Sequence, residues 1–343
     1  MARRPTIADL AVEAGVSVAT VDRVLNGRHR VREETARRVY EAANAIGYHA
    51  TSLIRQRLQK DLPEYRLGFV LQKPSQFFYQ SFAREIEAAV NEAPGIRGSA
   101  LIDYAPSQTP TDTVAKLYEV AARCQAVAMA GPDHPTLTAA IQDLRERNIP
   151  VFSVFSDFAS GVREGYVGTN NRMVGRTAAW LIAKTAKRPG KVAVFVGSHR
   201  FHGHEMREIG FRAYFREHAP QFQVLDTLVN LETRQITHEA TIDLLQRHPD
   251  LSGLYIAGGG MEGAIAALRE EGKAGKIIAV VNEKTPESTA GLVEEVLTAV
   301  ISTPLQPLSR DLVARMVRSI ETGAADAPGQ TFIPFEICIS ENV

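Results

Sequence analysis

The chain has 343 residues, 45% of them hydrophobic, with 39 Lys and Arg against 39 Asp and Glu and a formal net charge of +0. Such a length holds two or three cores, and no apolar run reaches the roughly 20 residues that a bilayer-spanning helix needs. Cys124 and Cys338 are too few and too apolar in context for a disulfide framework, and Asp9 and Glu13 interrupt any leader-like apolar stretch, so a reducing, cytoplasmic setting is expected.

Two short apolar-periodic segments open the chain. Ile7, Leu10, Ala11 and Ala14 mark one face of a first helix, and Val21, Val24 and Leu25 mark a second. Between them Gly15, Val16 and Ser17 supply turn chemistry, which predicts a helix-turn-helix. Thr6 is placed to cap the first helix, with Asp9 three residues on in a variant of the capping box. Ser17 is placed to cap the second, and Gly27 to end it in the left-handed region. A third helix is predicted from about Glu33 to Ile46, where Ala36, Val39, Ala43 and Ile46 recur at spacings of three and four. The second helix turns Val18, Ala19, Asp22 and Arg23 outward, flanked by Thr20 and Asn26. It is either a plain αα-hairpin element with a solvated face or a helix for a DNA major groove, where an Arg can donate two bonds to guanine and small apolar side chains can meet a thymine methyl. Charge favours the groove. Through Lys60 the head has eleven Lys and Arg against six Asp and Glu, a net +5 that leaves −5 for the rest.

The run from Thr6 to Asn26, with its Ala14-Gly15-Val16-Ser17 turn and its Thr20-Val21-x-Arg23-Val24-Leu25-Asn26 helix, followed by Val31 and by Thr35 to Gly47 and Tyr48, resembles the headpiece of the LacI/GalR transcriptional regulators. The resemblance implies a homodimer that sets two recognition helices in successive major grooves of a near-palindromic operator, a double-stranded DNA partner. By position it implies that Val18, Ala19 and Arg23 face base edges and that Thr6, Ser17, Thr20, Asn26 and Thr35 hold phosphates; Arg30 joins the DNA-binding set. Two positions depart from the family pattern. Asp22 stands where Ser is usual, putting a carboxylate beside phosphate, and Arg32 replaces the Ser cap of the third helix, leaving Glu33 and Glu34 to favour its start through the helix dipole. After Tyr48, residues 50–64 carry Leu53, Ile54, Leu58 and Leu62 among Arg55, Arg57 and Lys60. Composition alone reads there as a linker with a few docked side chains. The resemblance implies instead a hinge helix that orders on the operator, with Leu58 as a minor-groove wedge and Arg55 and Arg57 near phosphates. The spacing from Tyr48 is one residue longer than usual, and the customary Pro is absent.

From Tyr65 strands and helices alternate. Strands are predicted at 65–72, 97–104, 126–130 and 150–155, and helices at 78–92, 111–123 and 135–147. The pattern breaks in the Gly-, Ser- and charge-bearing stretch 156–165. It resumes with helices at 172–185, 204–218, 237–246 and 263–271 and strands at 191–196, 223–228, 253–257 and 276–281. Such alternation predicts parallel sheets with helices on both faces, in two doubly wound lobes. Here too the chain resembles the same family, through Gly168-x-Asn170-Asn171-x-x-x-Gly175-Arg176, Arg207-x-x-Gly210-Phe211 and Leu297 to Ile301, which implies an α/β body built like a periplasmic sugar-binding protein. The expected organisation is a small all-α headpiece at 1–49, a hinge at 50–64 and a bilobed effector-binding and dimerisation domain at 65–343. Its first lobe takes about 65–164 and 303–326, with the helix from Leu305 to Thr322 crossing back. Its second takes about 165–302 and 327–343, with a final strand from Thr331 to Ile339.

A ligand is expected beyond the carboxyl ends of the strands, between the lobes. The loop after the first strand brings Ser75, Phe77 and Phe78; the resemblance implies aromatic stacking on a sugar ring, with one Phe of the pair expected in the core. Asp157 follows the fourth strand where relatives present polar groups, or else is a solvated loop residue. Arg207 matches the Arg that grips ligand oxygen in relatives, and Asn282, Glu283 and Thr303 stand where the family places polar contacts. In the loop 198–205, His199, His202, His204 and Glu205 offer metal-type donors but at no zinc spacing, and His199 is taken as a donor to the ligand. Gly258-x-Gly260-x-x-Gly263 follows a strand and opens a helix, with Glu283 20 residues beyond, so it matches a dinucleotide fingerprint. It lies in a late βα unit rather than on a first strand, and relatives carry Asn-Asp at this loop. Its glycines, Gly258 among them, are read as letting the backbone approach a ligand.

The expected function is an operator-binding transcriptional regulator, a repressor of a carbohydrate uptake or catabolic operon. A sugar-like effector would change the relation between paired first lobes and so bias whether the hinges order on DNA. No nucleophile-and-base constellation, no cofactor and no membrane partner is expected. The alternatives are a nicotinamide-dinucleotide enzyme using the glycine loop and a corepressor-dependent regulator.

Overall fold

The computed structural model describes residues 4–26, 31–58, 62–323 and 329–343, with backbone alone at 33 and 55–58. Its contacts separate the chain into two units, Met1–Tyr65 with Ala93–Gly98 and Arg66–Glu92 with Ser99–Val343.

The first unit opens with helices α1 (Ile7–Glu13), α2 (Val18–Asn26), α3 (Glu33–Ala45) and α4 (Thr51–Leu58). Thr6 Oγ1 accepts the Asp9 N–H at 3.3 Å while the Asp9 carboxylate accepts the Thr6 N–H at 2.8 Å, so the capping box closes around the start of α1. Ser17 Oγ accepts the Thr20 N–H at 3.1 Å, and Gly15 reverses the chain at φ 63°, a conformation that costs glycine nothing. α3 starts at Arg32 with no side-chain cap. Leu10, Val21, Val39 and Ala43 are fully buried in one small core. Ile54 of α4 joins them at 0% exposure, so the segment expected to serve as a hinge begins as a fourth helix of the head core. Gly27 lies outside the described residues.

The second unit takes all but the first two residues of β1 (Glu64–Leu71) and of β2 (Arg97–Tyr104), together with α5 (Phe77–Glu92), α6 (Pro110–Ala121), β3 (Ala126–Met129), α7 (Pro135–Glu146), β4 (Val151–Val154) and β5 (Gly165–Gly168). There follow α8 (Asn171–Thr185), β6 (Lys191–Val196), α9 (His202–His218), β7 (Gln223–Val224), β8 (Leu228–Val229), α10 (Arg234–Arg247), β9 (Leu251–Ile256) and α11 (Met261–Glu270). The chain ends with β10 (Ile278–Asn282), α12 (Pro286–Val293), β11 (Ala299–Ser302), α13 (Leu305–Thr322), β12 (Gly329–Phe332) and β13 (Glu336–Cys338).

Two sheets result. One has the order β12-β5-β4-β3-β1-β2 and the other β13-β11-β10-β9-β6-β7, with β8 also on β6. In the second sheet successive residues alternate between two cores: Leu254, Ile256, Ala279 and Val281 face one, and Tyr255, Ala257 and Val280 the other. Helices cover both faces, so these strands read as unbroken apolar runs. Cys124 and Cys338 are buried and unpaired. Among the described residues no helix is long and apolar enough to cross a membrane.

Several elements differ from expectation. β5 starts where the stretch read as a break ends and adds an unexpected strand to the first sheet, because a four-residue strand with glycine at each end shows no periodicity to read. The first lobe therefore runs to Gly168. The single final strand is two. β12 lies parallel to β5 in the first sheet, and β13 lies antiparallel to β11 in the second. Pro334 stands between them and has no N–H for a ladder, so pairing breaks where the chain changes lobes. The strand expected at 223–228 is the two short pieces β7 and β8, and α12 and β11 were not anticipated as elements. α13 packs on α5, β3 and β5, returning to the first lobe. The lobes are thus joined three times, between β5 and α8, between β11 and α13, and between β12 and β13.

Candidate functional site

α2 presents Val18, Ala19, Arg23 and Asn26 on its exposed side, with Thr20 and Asp22 half-buried beside them. Val18 is 46% exposed, an apolar side chain that the head core does not use. Asn26 Nδ2 donates to Asp22 Oδ1 at 2.6 Å, which occupies the carboxylate that departs from the family pattern. Ser17 Oγ and Thr20 Oγ1 lie 2.9 Å apart at the start of the helix, and Arg38 Nη2 donates to the Gly15 carbonyl at 3.2 Å, fixing the turn. Thr6 caps α1, where the Asp9 carboxylate already takes its N–H, and Thr35 lies in the first turn of α3. Arg30 lies outside the described residues, as do the side chains of Arg55, Arg57 and Leu58.

Within the second unit, strands of both sheets end at a cleft between the lobes. Its most constrained side chain is Arg207. Gly175 and Gly210 have a local cause: a Cβ at Gly175 would overlap the Arg207 carbonyl, and one at Gly210 would overlap the Arg172 carbonyl. α8 and α9 therefore cross at backbone distance, which sets where Arg207 leaves its helix. Its Nε donates to Asn171 Oδ1 at 2.7 Å and its Nη1 to the Ala257 carbonyl at 2.8 Å, while Nη2 stands 3.8 Å from Glu283 Oε1. Asn171 is fixed in turn by donating to the Phe155 carbonyl at 2.8 Å.

Glu283 follows β10 at φ 71°, a strained value for a residue with a Cβ. Its Oε2 accepts the Thr303 N–H at 2.8 Å and its Oε1 the Thr303 hydroxyl at 2.9 Å. Burial raises its pKa above the ordinary carboxylate value, outweighing the opposing pull of Arg207 and Thr303. Asn282 is also fully engaged: Tyr255 Oη donates to its Oδ1 at 2.5 Å, and its Nδ2 donates to the Ile301 carbonyl at 3.3 Å.

A second half-buried carboxylate, Glu232, lies across the cleft. Lys73 of the first lobe reaches its Oε2 at 3.1 Å and the Leu231 carbonyl at 2.8 Å, and the Gly259 N–H donates to its Oε1 at 3.3 Å. His204 Nε2 is 3.5 Å from the same oxygen. Burial raises the Glu232 pKa, but His204, Lys73 and the Gly259 amide pull it down well below the carboxylate range. Burial lowers the His204 pKa in spite of Glu232. The ionised carboxylate is the firm assignment of the two, because Lys73 holds it whichever form the imidazole takes. Three residues at this junction, Lys73, Leu231 and Glu232, have positive φ without being glycine.

The cleft floor is aromatic. Phe78 packs 4.9 Å from Phe155 between ring centroids, and Phe155 packs 4.7 Å from the buried Phe82. Phe77 stays 40% exposed under Arg84, so one ring of the pair belongs to the core side and one to the opening.

Of the residues expected to bind a ligand, Phe77, Phe78, Arg207, Gly258, Asn282 and Glu283 line this cleft. Ser75 is exposed outside it, and His199 stands on an exposed loop near Glu208. Thr303 sits behind Glu283 as its positioner. Asp157 is inside the first lobe: its carboxylate takes Arg163 Nη2 at 2.7 Å, Ser153 Oγ at 2.8 Å and Gln330 Nε2 at 2.7 Å, which ties β12 into the first sheet. The three histidines of the loop diverge, His199 toward Glu208, His202 toward Glu205 and His204 toward Glu232, and among the described residues no group of three or more metal-type side chains converges. Sequence reasoning did not place Phe155, Ser156, Glu232 or Thr285 here. They come from loops that periodicity does not mark, and Glu232 follows strands of two residues each. The glycine loop serves the chain itself. A Cβ at Gly258 would press on His204, one at Gly259 on Glu232, and one at Gly263 would overlap the Arg234 carbonyl of α10.

Comparison with known proteins matches two stretches of the chain. Residues 6–51 match the model of bacterial regulatory proteins of the lacI family, and residues 67–323 match a periplasmic binding protein domain. An HTH-type transcriptional regulator from the aml 5′ region of Streptomyces limosus is 28% identical over 279 residues, 78% of this chain and 75% of that one. Catabolite control protein A of Priestia megaterium is 38% identical over 82 residues, 24% of each chain. Among solved structures, an ABC-transporter solute-binding protein of Agrobacterium vitis bound with α-D-tagatopyranose has a TM-score of 0.74 at 21% identity, covering 81% of this chain and 95% of that one. A glucose-galactose binding protein of Geobacillus stearothermophilus has a TM-score of 0.73 at 19% identity, covering 82% and 99%. At such identities these structures establish the fold of the body.

Proposed function

Since the chain belongs to the LacI family of bacterial regulatory proteins, with a periplasmic binding protein domain as its body, we propose that it represses a carbohydrate uptake or catabolic operon as a cytoplasmic homodimer, released or recruited by a sugar held between its lobes. It is a DNA-binding transcriptional regulator with a sugar-binding type of domain, and regulators of this family act by binding rather than by turnover.

The observation that carries the effector class is the pairing of Arg207 with Glu283. A guanidinium Nη2 and a carboxylate oxygen stand 3.8 Å apart, each already oriented by protein partners. A hydroxyl between them can accept from the first and donate to the second, and its neighbour on the same ring can repeat the arrangement. The rings of Phe77, Phe78 and Phe155 border the same space and suit the apolar face of a sugar. The tagatose and glucose-galactose binding neighbours support the same reading.

The carboxyl ends of strands from both lobes meet the cleft, so a bound sugar favours the arrangement in which both lobes touch it. On the DNA side, Val18, Ala19 and Arg23 read base edges while Thr6, Ser17, Thr20, Asn26, Arg30 and Thr35 hold phosphates; Arg55, Arg57 and Leu58 serve the hinge. The dinucleotide alternative loses its main support at Gly259, whose N–H a pyrophosphate would need and Glu232 already engages. The test is fluorescence anisotropy of the full chain on its own upstream DNA, with and without free sugars. A saturable, sugar-dependent change in affinity is expected, and its sign separates induction from corepression. Equal affinity for operator and scrambled DNA at every sugar concentration would defeat the proposal.

A further inference from the structure

Resting on that sugar-cleft reading, we infer that the cleft admits an uncharged, unphosphorylated sugar and rejects its phosphate esters, because the chain has filled its own anion site with carboxylates. α11 begins at the glycine run Gly258 to Gly260 and points its N-terminus at the cleft. A glycine loop leading into a helix is a ready anion-binding site, through its free N–H groups and the positive end of the dipole. Here the Glu232 carboxylate already takes the Gly259 N–H, and Glu262, in the first turn of α11, places a second carboxylate in the cleft wall.

The cations that a phosphate would need are also engaged. Arg207 directs Nε and Nη1 to Asn171 and the Ala257 carbonyl and turns Nη2 toward Glu283. Lys73 gives its ammonium to the Leu231 carbonyl and to Glu232. Among the described residues, the cleft is lined by three carboxylates, Glu232, Glu262 and Glu283, of which Glu232 is held by Lys73 and Glu283 faces Arg207, while Glu262 has no such cation, though burial raises its pKa. A phosphate brought there meets carboxylates where its donors and cations would have to be, in a partly desolvated space where like charges repel far more strongly than in water. A hydroxyl meets only donors and acceptors it can satisfy.

The experiment is isothermal titration calorimetry of the full chain with matched pairs: D-tagatose, D-allose and D-glucose, each beside its 6-phosphate. For a sugar that binds, the ester is expected to bind at least about tenfold more weakly, as a like-charge penalty of that size in a cleft implies. Glu232→Gln and Glu262→Gln, each checked by thermal unfolding, should narrow that gap. An ester that binds as tightly as its free sugar, or a gap that neither variant changes, overturns the inference and leaves the sugar cleft standing. Silence from every free sugar and every ester overturns the cleft reading and this inference together.

Discussion

Arg23 and Arg207 carry the same guanidinium and use it in opposite ways. On α2 Arg23 is exposed and makes no hydrogen bond or ion pair within the described residues, so its donors are left for an outside partner. In the cleft Arg207 is buried and spends most of its donors on Asn171, Ala257 and Glu283. The head thus keeps an open set of groups on one contiguous helix. The body prepares a closed network drawn from the ends of many strands, in which each group is already oriented before a ligand arrives. An open site loses contacts one at a time when mutated, whereas a closed network transmits damage.

The sharpest way to break that contrast is in the frame behind the cleft. Asp157→Asn leaves Arg163 buried without its counter-charge and loosens Gln330, and should cost about 3–5 kcal/mol in urea unfolding. The pH dependence gives a second reading. Burial raises the Asp157 pKa, but Arg163 and Gln330 pull it below the ordinary value. Its contribution is therefore present above the unfolded value of about 4 and disappears as pH falls through the lower folded value. The variant should lack this acid-side loss, and a wild-type stability flat to pH 2 would contradict the pairing.

Thr303→Val comes next. Removing the hydroxyl that donates to Glu283 should weaken sugar binding by about 1.5–3 kcal/mol in calorimetry, with operator affinity in the absence of sugar unchanged. Arg23→Ala should do the reverse, costing about 1–3 kcal/mol at one operator base pair while sugar affinity holds; equal weakening on scrambled DNA would remove Arg23 from base reading. Smallest is Thr6→Ala, which removes the α1 cap and should lower the stability of the head by about 1 kcal/mol in thermal unfolding.

The two regions also differed in how far they could be read in advance. The head was legible almost residue by residue, since capping, turn chemistry and a helical stripe are local, and Leu10, Val21, Val39 and Ala43 fall in its core as their spacing requires. In the body, alternation gave the doubly wound lobes, but β5, β12 and β13 are three or four residues long and carry no period of their own. Arg207, Asn282 and Glu283 were visible because they sit beside motifs or strand ends. Glu232 was not, because its place depends on Lys73, 159 positions earlier in the chain, and on a glycine loop that follows it. Asp157 shows the converse error: a polar residue at a strand end can face inward and serve the sheet.

The three chain crossings between the lobes have a mechanical consequence. One tether would let the lobes swivel freely, and two would let them roll about the line joining the tethers. Three neighbouring tethers, one of them stiffened by Pro334, leave bending as the soft movement and make torsion costly. Whatever occupies the cleft then works mainly against that one bend, a one-dimensional response.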